Sequence, residues 1–257
     1  MSQQTRTTPS PTASFQHQCR SACQCPIHAD GEPFTAPLGL QFADHVTVEA
    51  IQRETAAAIY EAHHSYMDSL PSVNLVHHGI RFQDNLVGAI TYRYPLISRK
   101  RIRYRTDGQL APEPVTIDKD LPRELRPTAR RILDEIDPSE IVDDEVVAGD
   151  TLVEAARICL DVRMPNLASA ALARSQDRFV ADYADQEGTR FLLTWVRADY
   201  DGAMVRALRD KGWTCTGFAE PSEASNREDK PIRKRWKWRF LCPVEQVKEQ
   251  STLEAWT

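Results

Sequence analysis

Arg157, Asp161, Asn166 and Ser169 lie along one run, RICLDVRMPNLASAALA, whose first part is apolar and strand-like and whose last part is Ala-rich and helix-like. A guanidinium in an apolar strand must be paired or face a cleft, because an uncompensated buried charge is costly. Arg157 therefore reads either as a binder of a carboxylate or phosphate, or as a structural partner of Glu154 or Asp161. Ser169 falls in the first turn of the helix. There orphan N–H groups and a hydroxyl can hold an anion, or the serine simply starts the helix. The corner between strand and helix, Met164-Pro165-Asn166, has no glycine. Pro165 removes a backbone donor, and its bulky neighbours keep a diphosphate at a distance, which disfavours an ordinary nucleotide cofactor.

Other residues with chemical potential lie further off. Asp199 follows an apolar strand, so it either accepts a proton or caps the next helix near Gly202. His64 reads as a general base or a metal ligand; the plainer alternative is that His63 and His64 satisfy carbonyls at a helix C-terminus. His77 and His78 alternate along a strand and read as structural. Cys19, Cys23, Cys25 and His28 crowd together in a polar tail, with the right donors for zinc but spacing too compressed for a two-knuckle ribbon. A metal requirement and the identity of any group donor are not legible.

Two stretches are strongly basic. In SRKRIRYRT, Arg99, Lys100, Arg101, Arg103 and Arg105 alternate with Ile102 and Tyr104, and an extended chain there presents one basic face. In the second, Arg233, Lys234, Arg235, Trp236, Lys237 and Trp238 combine cations for phosphates with indoles that can stack on a base. The same pattern also describes a half-buried antiparallel strand. The net charge of -5 means that nucleic-acid binding must rest on such local patches. No apolar run is long enough to cross a bilayer, and no secretory signal is visible. The expectation is a cytoplasmic protein without membrane association and with reduced thiols.

These residues need a scaffold. Residues 1–37, rich in Ser, Thr, Pro and Gln, predict a flexible tail, and 38–257 a single domain with an excursion at about 107–150. Apolar spacing predicts a helix over 47–62, then a hairpin of 75–82 and 86–93. A short helix at 125–136 and a buried strand at 152–160 follow. Beyond them come a helix at 166–183, a strand at 191–196, and a helix at 202–211 stopped by Gly212. Strands at 213–218 and 235–242 end the series. This order predicts an α/β fold with a mixed, mostly antiparallel sheet and helices on both faces.

The segment LLTWVRADYDGAMVRALRDKGWTCTGF, a strand, a helix ending in Lys-Gly-Trp and a strand, resembles part of the GNAT acyltransferase fold. That resemblance implies a glycine-rich turn for the cofactor pyrophosphate, and the glycine-free corner here disfavours acetyl-CoA; the corner is similar instead to Mom proteins of the phage Mu type, GNAT-like enzymes that modify adenine in DNA. In that resemblance Arg157, Asp161, Pro165, Asn166 and Ser169 match the central strand and the helix start. His64, Ser65 and Tyr66 match a His-Tyr or His-Ser element after the first helix, Ala198-Asp199 an Ala-Asp pair, and 234–240 a basic-aromatic last strand. Leu208 stands where the family has a tyrosine; Tyr200 or Tyr66 are the candidates to replace it.

The resemblance implies transfer of a carbamoylmethyl-like group to the N6 amine of adenine in double-stranded DNA, as protection from restriction. It implies catalytic roles for His64, Arg157, Ser169 and Asp199, and substrate contacts from Tyr66, Asp161, Asn166 and Tyr200. Two other functions fit the same residues: N-acyl transfer from acyl-CoA to a protein or small amine, and non-catalytic nucleic-acid binding.

Overall fold

The computed structural model describes residues 12–15, 34–37, 45–63, 70, 72–82, 85–113, 117–133, 138–161, 166–198, 203–221 and 236–254. Within the stretch that composition assigns to a tail, Thr12–Phe15 (β1) and Phe34–Pro37 (β2) pair as a small antiparallel ribbon.

The helix predicted over 47–62 is divided in the structure. Val46–Ala50 forms an edge strand (β3), and only Arg53–His63 is helical (α1). The β-branched Val46, Thr47 and Val48 favour extended backbone, and Val76–Phe82 (β4) offers them an antiparallel partner, with Val46 opposite Phe82 and Ala50 opposite His78. Tertiary pairing thus overrides a helical apolar spacing. The predicted hairpin forms from β4 and Asn85–Arg93 (β5).

Arg99–Arg105 (β6) is a strand, as its alternation predicts, but it leaves the main sheet. It pairs with Ile141–Ala148 (β7) in a separate two-stranded ribbon. Between them come the short helices Ile117–Asp120 (α2) and Arg126–Ile132 (α3), the second with proline in its first turn where no N–H is needed. Leu152–Leu160 (β8), Leu167–Phe179 (α4), Phe191–Arg197 (β9) and Ala203–Asp210 (α5) follow in the predicted order. A π-helical turn at Val180–Ala184 extends α4, and Gly212, at φ +80°, ends the turn after α5. Thr214–Ala219 (β10) and Lys237–Pro243 (β11) form the far edge of the sheet. A C-terminal helix, Val244–Glu254 (α6), completes the described chain.

The main sheet has seven strands in the order β10-β11-β9-β8-β5-β4-β3. Every pairing is antiparallel except β8 with β9. One face carries α4, α5 and α6 over a core that includes Ile90, Tyr92, Val153, Leu172, Leu192, Trp238 and Phe240. On this face Tyr92 stacks on Phe179 with ring centroids 4.5 Å apart, and Phe179 stacks on Tyr183 at 5.6 Å. The opposite face is covered in two places. Ala56, Ile59 and Tyr60 of α1 pack on Ala89 and Cys159, while the β6–β7 ribbon sets Ile102 and Val147 over Phe191, Leu193 and Leu241. The fold is therefore α/β, with a mostly antiparallel sheet and helices on both faces. Among the described residues no helix is long and apolar enough to cross a membrane.

Candidate functional site

The one parallel pairing is short. Leu152, Val153 and Glu154 sit in register with Phe191, Leu192 and Leu193, and beyond that point no ladder joins the two strands. Yet β8 runs on to Leu160 and β9 to Arg197. The strands part toward their C-terminal ends. This leaves main-chain hydrogen-bonding groups along a wedge in the middle of the sheet, and such groups require partners. Where the parting begins, Thr194 Oγ1 donates to the Ala155 carbonyl at 2.9 Å, so a side chain replaces the lost ladder bond.

Beside the wedge, β8 carries a bulge. Tyr92 faces Ala155 and Thr91 faces Arg157, which leaves Ala156 as an extra residue in the ladder. A bulge shifts the phase of every later side chain. Leu152 and Glu154 point to the α1 face before it, and Arg157, Cys159 and Asp161 keep to that face after it. Without the extra residue, Arg157 would point into the apolar layer beneath α4. Its guanidinium Nη1 donates to the Ala156 carbonyl at 2.7 Å.

At the C-terminal end of β8, Asp161 meets the last residue of α1. His63 Nδ1 and Asp161 Oδ1 are 2.9 Å apart. The Asp161 backbone N–H is held by the Val87 carbonyl at 2.9 Å, which fixes the carboxylate against the sheet. A carboxylate on one imidazole nitrogen orients the ring. A second buried network lies deeper under α1. The Thr91 hydroxyl joins the Tyr60 phenol and His77 Nδ1, each at 2.9 Å, and Tyr60 also lies 3.4 Å from the Arg157 carbonyl. Burial pulls His77 below its ordinary range, with the Arg53 charge adding to the effect, and burial pushes the Tyr60 phenol far up. Both are neutral groups that support the wedge rather than exchange protons there.

The predicted site residues divide into three sets. Arg157 lies in the wedge, and Ser169 is half-buried in the first turn of α4. Asn166 is exposed, with a left-handed φ of 60°, and sets the corner before α4 in place of a glycine. His64, Tyr66, Asp199, Tyr200, Arg233, Lys234 and Arg235, together with Cys19, Cys23, Cys25 and His28, lie outside the described residues. Among the described residues no group of His, Cys, Asp and Glu is placed to hold a metal ion.

Several expectations are corrected. Asp161, expected to contact substrate, is buried against His63. Of the two acids beside Arg157 in the chain, Glu154 binds Arg93 Nη2 at 2.7 Å and Asp161 binds His63. Trp238 cannot stack on a base, because it is fully buried in the core beneath α4. Trp236 is half-buried against Phe218, with ring centroids 5.3 Å apart. Leu208 is fully buried as well, so it is a packing residue of α5.

The basic face expected on β6 is partly paired with acids on and before its partner strand. Arg101 pairs with Asp144 at 3.2 Å and Arg105 with Glu140 at 3.3 Å. Lys100 is drawn inward to Glu113, which also binds Arg239 at 2.9 Å. Arg99 remains exposed and Arg103 half-buried. Sequence reasoning missed His63, which it assigned to helix capping, and it missed the grouping of Arg93, Glu154, Arg157, Arg197 and Lys237. The only available signal was alternation along each strand, and the unforeseen bulge breaks that alternation at Arg157.

No family model and no curated protein matches the chain. Solved structures with a similar outline include the ribosomal-protein-S18-alanine N-acetyltransferase from Escherichia coli, 11% identical, with 77% of this chain and 94% of that chain covered at a TM-score of 0.41. A spermidine N-acetyltransferase chimera from Vibrio cholerae is 11% identical over 79% of this chain and 98% of that chain, with a TM-score of 0.43. A putative acetyltransferase from Salmonella typhimurium, solved with acetyl-CoA, is 10% identical over 78% and 94%, with a TM-score of 0.41. The seven-strand order and the parallel pairing of β8 with β9 are consistent with the GNAT fold.

Proposed function

We propose that the chain transfers an acyl-type group from an activated donor to an amine held in the wedge between β8 and β9. The observation that carries this reading is the parting of the strands next to the buried His63–Asp161 pair. The open strand edges can hold an extended, amide-bearing donor by main-chain hydrogen bonds. The first turn of α4 brings N–H groups to the end of β8, where Asn166 makes no side-chain cap. An acyl thioester such as acyl-CoA would supply the activated carbonyl. The residues on the wedge fit the amide-bearing arm of such a donor; the corner itself, 162–165, lies outside the described residues.

An ammonium cannot attack a carbonyl, so the acceptor must lose a proton. His63, oriented by Asp161, takes the proton as the amine nitrogen forms the new C–N bond; the thioester C–S bond then breaks, and the leaving thiolate takes up that proton and departs as the thiol. The test is a thermal-shift titration with acetyl-CoA followed by an assay of acetyl transfer to small amines. A raised midpoint and product that disappears in His63→Gln support the reading. No shift and no product from folded protein with any acyl thioester reject it.

A second reading gives the same wedge the N6 amine of adenine in double-stranded DNA as acceptor. Cationic side chains on the α1 face of the sheet favour it. Mass spectrometry of nucleosides from cells expressing the chain tests it: a heavier deoxyadenosine that is absent with Arg157→Ala supports it, and unmodified nucleosides from cells holding soluble protein reject it.

A further inference from the structure

The protein carries an amine of its own beside the wedge. Lys237 is the first residue of β11, which runs antiparallel to β9, so it lies with Arg197 at the end where β8 and β9 part. Alternation along β11 sends Trp238 and Phe240 into the core beneath α4 and Lys237 to the opposite face, the one that carries the His63–Asp161 pair. In the sheet β11 is two strands from β8 and three from β5. The Lys237 ammonium nevertheless acts on Glu154 and Arg157 of β8 and on Arg93 of β5. Neighbouring strands are about 4.8 Å apart, so an ammonium within electrostatic reach of these groups is directed across β9 toward the parted strands.

An amine that attacks a carbonyl must be deprotonated and must not be tied up in an ion pair. Lys237 is half-buried, and its ammonium makes no hydrogen bond or ion pair with a described residue. Glu154, the carboxylate that acts on it, is already held by Arg93 through Nη2 at 2.7 Å and Nε at 2.8 Å. Lys100 on the same face gives the contrast, since its ammonium is bonded to Glu113. Burial pulls both lysines below their ordinary range; for Lys237, Glu154 opposes the effect while Arg157 and Arg93 add to it. The two lysines thus differ in bonding rather than in the direction of their shift, and Lys237 is the one whose nitrogen is available.

We infer that Lys237 is itself acylated: its Nζ accepts the acyl group of a thioester lying along the wedge. The ammonium first releases a proton to solvent. The neutral nitrogen then forms a C–N bond at the thioester carbonyl, the C–S bond breaks, and the leaving thiolate takes one proton from that nitrogen and departs as the thiol. The amide formed is stable, so the modification is a lasting change to the chain and not an intermediate. It removes one positive charge from the α1 face beside the wedge. The inference rests on the wedge holding the acyl donor, and it adds to that reading a modification site within the protein.

The test is incubation of the full chain with acetyl-CoA, followed by peptide mass mapping. An acetyl group should appear on Lys237 ahead of Lys100 and Lys248, at a rate per molecule that does not change with protein concentration, since the step is intramolecular. Lys237→Arg should lose that adduct, and the wild-type map stands even if the variant does not fold. Acetylation that reaches Lys248 as fast as Lys237, or a rate that rises with protein concentration, overturns the inference. A second measurement needs no bound donor: competitive labelling with acetic anhydride over a series of pH values. Labelling of Lys237 should rise at lower pH than that of Lys248, which Asp185 and Glu245 hold above its ordinary range. Coincident curves would show that the Lys237 nitrogen is no better a nucleophile than a surface lysine and also overturn it. The two failures are distinguishable. Acetyl-CoA that binds and acetylates a small amine but leaves Lys237 unmodified rejects this inference alone. No binding and no product with any acyl thioester rejects the wedge as the transfer site, and this inference with it.

Discussion

His63 Nδ1 lies 2.9 Å from Asp161 Oδ1, and the two side chains are almost sealed from solvent, at 3% and 0% exposure. The pair joins the end of α1 to the end of β8, so one contact serves both the fold and the proposed chemistry. Asp161→Ala removes a buried carboxylate from its imidazole and should cost on the order of 3 kcal/mol in urea unfolding. Asp161→Asn keeps the shape and an acceptor oxygen, and should cost about 1 kcal/mol. Both should lower kcat for transfer while leaving donor affinity near that of wild type, because the carboxylate faces the proton acceptor rather than the donor. Full kcat in Asp161→Asn would remove His63 from the proton-transfer role.

The two tryptophans at the start of β11 should behave differently. Trp238 is fully buried beneath α4, and Trp236 is a half-buried ring leaning on Phe218. Trp238→Ala should cost about 3–5 kcal/mol, the range for emptying a large aromatic site in a core. Trp236→Ala should cost about 1–2 kcal/mol. If Trp238→Ala left stability untouched and abolished DNA binding alone, the stacking role would return and the core assignment would fail.

The central elements were legible in the sequence for simple reasons. β8, α4, β9 and α5 are apolar runs bounded by their own stop signals, with Asn166 before α4 and Gly212 after α5. β3 was not legible, because Val48 and Ile51 also suit a helical face and only the partner strand β4 decides between them. The β6 cations were readable, but the pairing of Arg101 with Asp144 and of Arg105 with Glu140 depends on a segment far along the chain. The site was least visible. Nothing local marks Ala156 as the bulged residue, and His63 and Asp161 are brought together only by the packing of α1 on the sheet.

Acidification should destabilise the protein in two windows. Burial pulls His78 from 6.5 to about 4, in a site where it meets Ser175 Oγ at 3.0 Å and the edge of the Tyr92 ring. Its folded value is below its unfolded one, so the unfolded chain binds this proton first. Stability is complete above 6.5 and falls as the pH drops toward 4, by up to about 1.4 kcal/mol per pH unit for one such group. His77 is also lowered, mainly by burial, and acts with the same sign.

Glu113 supplies the lower window. Burial alone would raise it, but Arg239 and Lys100 outweigh burial and hold it below 4.5, so its contribution is lost as pH falls through that lowered value. Lys100 beside it is nonetheless lowered, because burial and the Arg239 charge outweigh Glu113. Urea midpoints should therefore fall first between 6.5 and 4, and again below. His78→Gln should flatten the upper part of the curve and Glu113→Gln the lower part. A midpoint constant across the upper window would show that the histidines titrate alike in the folded and unfolded chain.

Thr194 tests whether the wedge is a built feature. Its hydroxyl donates to the Ala155 carbonyl at 2.9 Å, at the last point where β8 and β9 are close. Thr194 is 2% exposed, so no water stands ready to replace that donor. Thr194→Val keeps the volume and the β-branched shape but removes the O–H, and should cost about 1–3 kcal/mol. Thr194→Ser keeps the donor and should lie within about 1 kcal/mol of wild type. The functional consequence follows from position: without the brace the strands can move together or further apart, and either change misaligns a donor lying along their edges. Thr194→Val should therefore raise KM for the acyl donor more than Thr194→Ser does. Equal donor affinity in the two variants would mean that the donor does not lie along the parted strands.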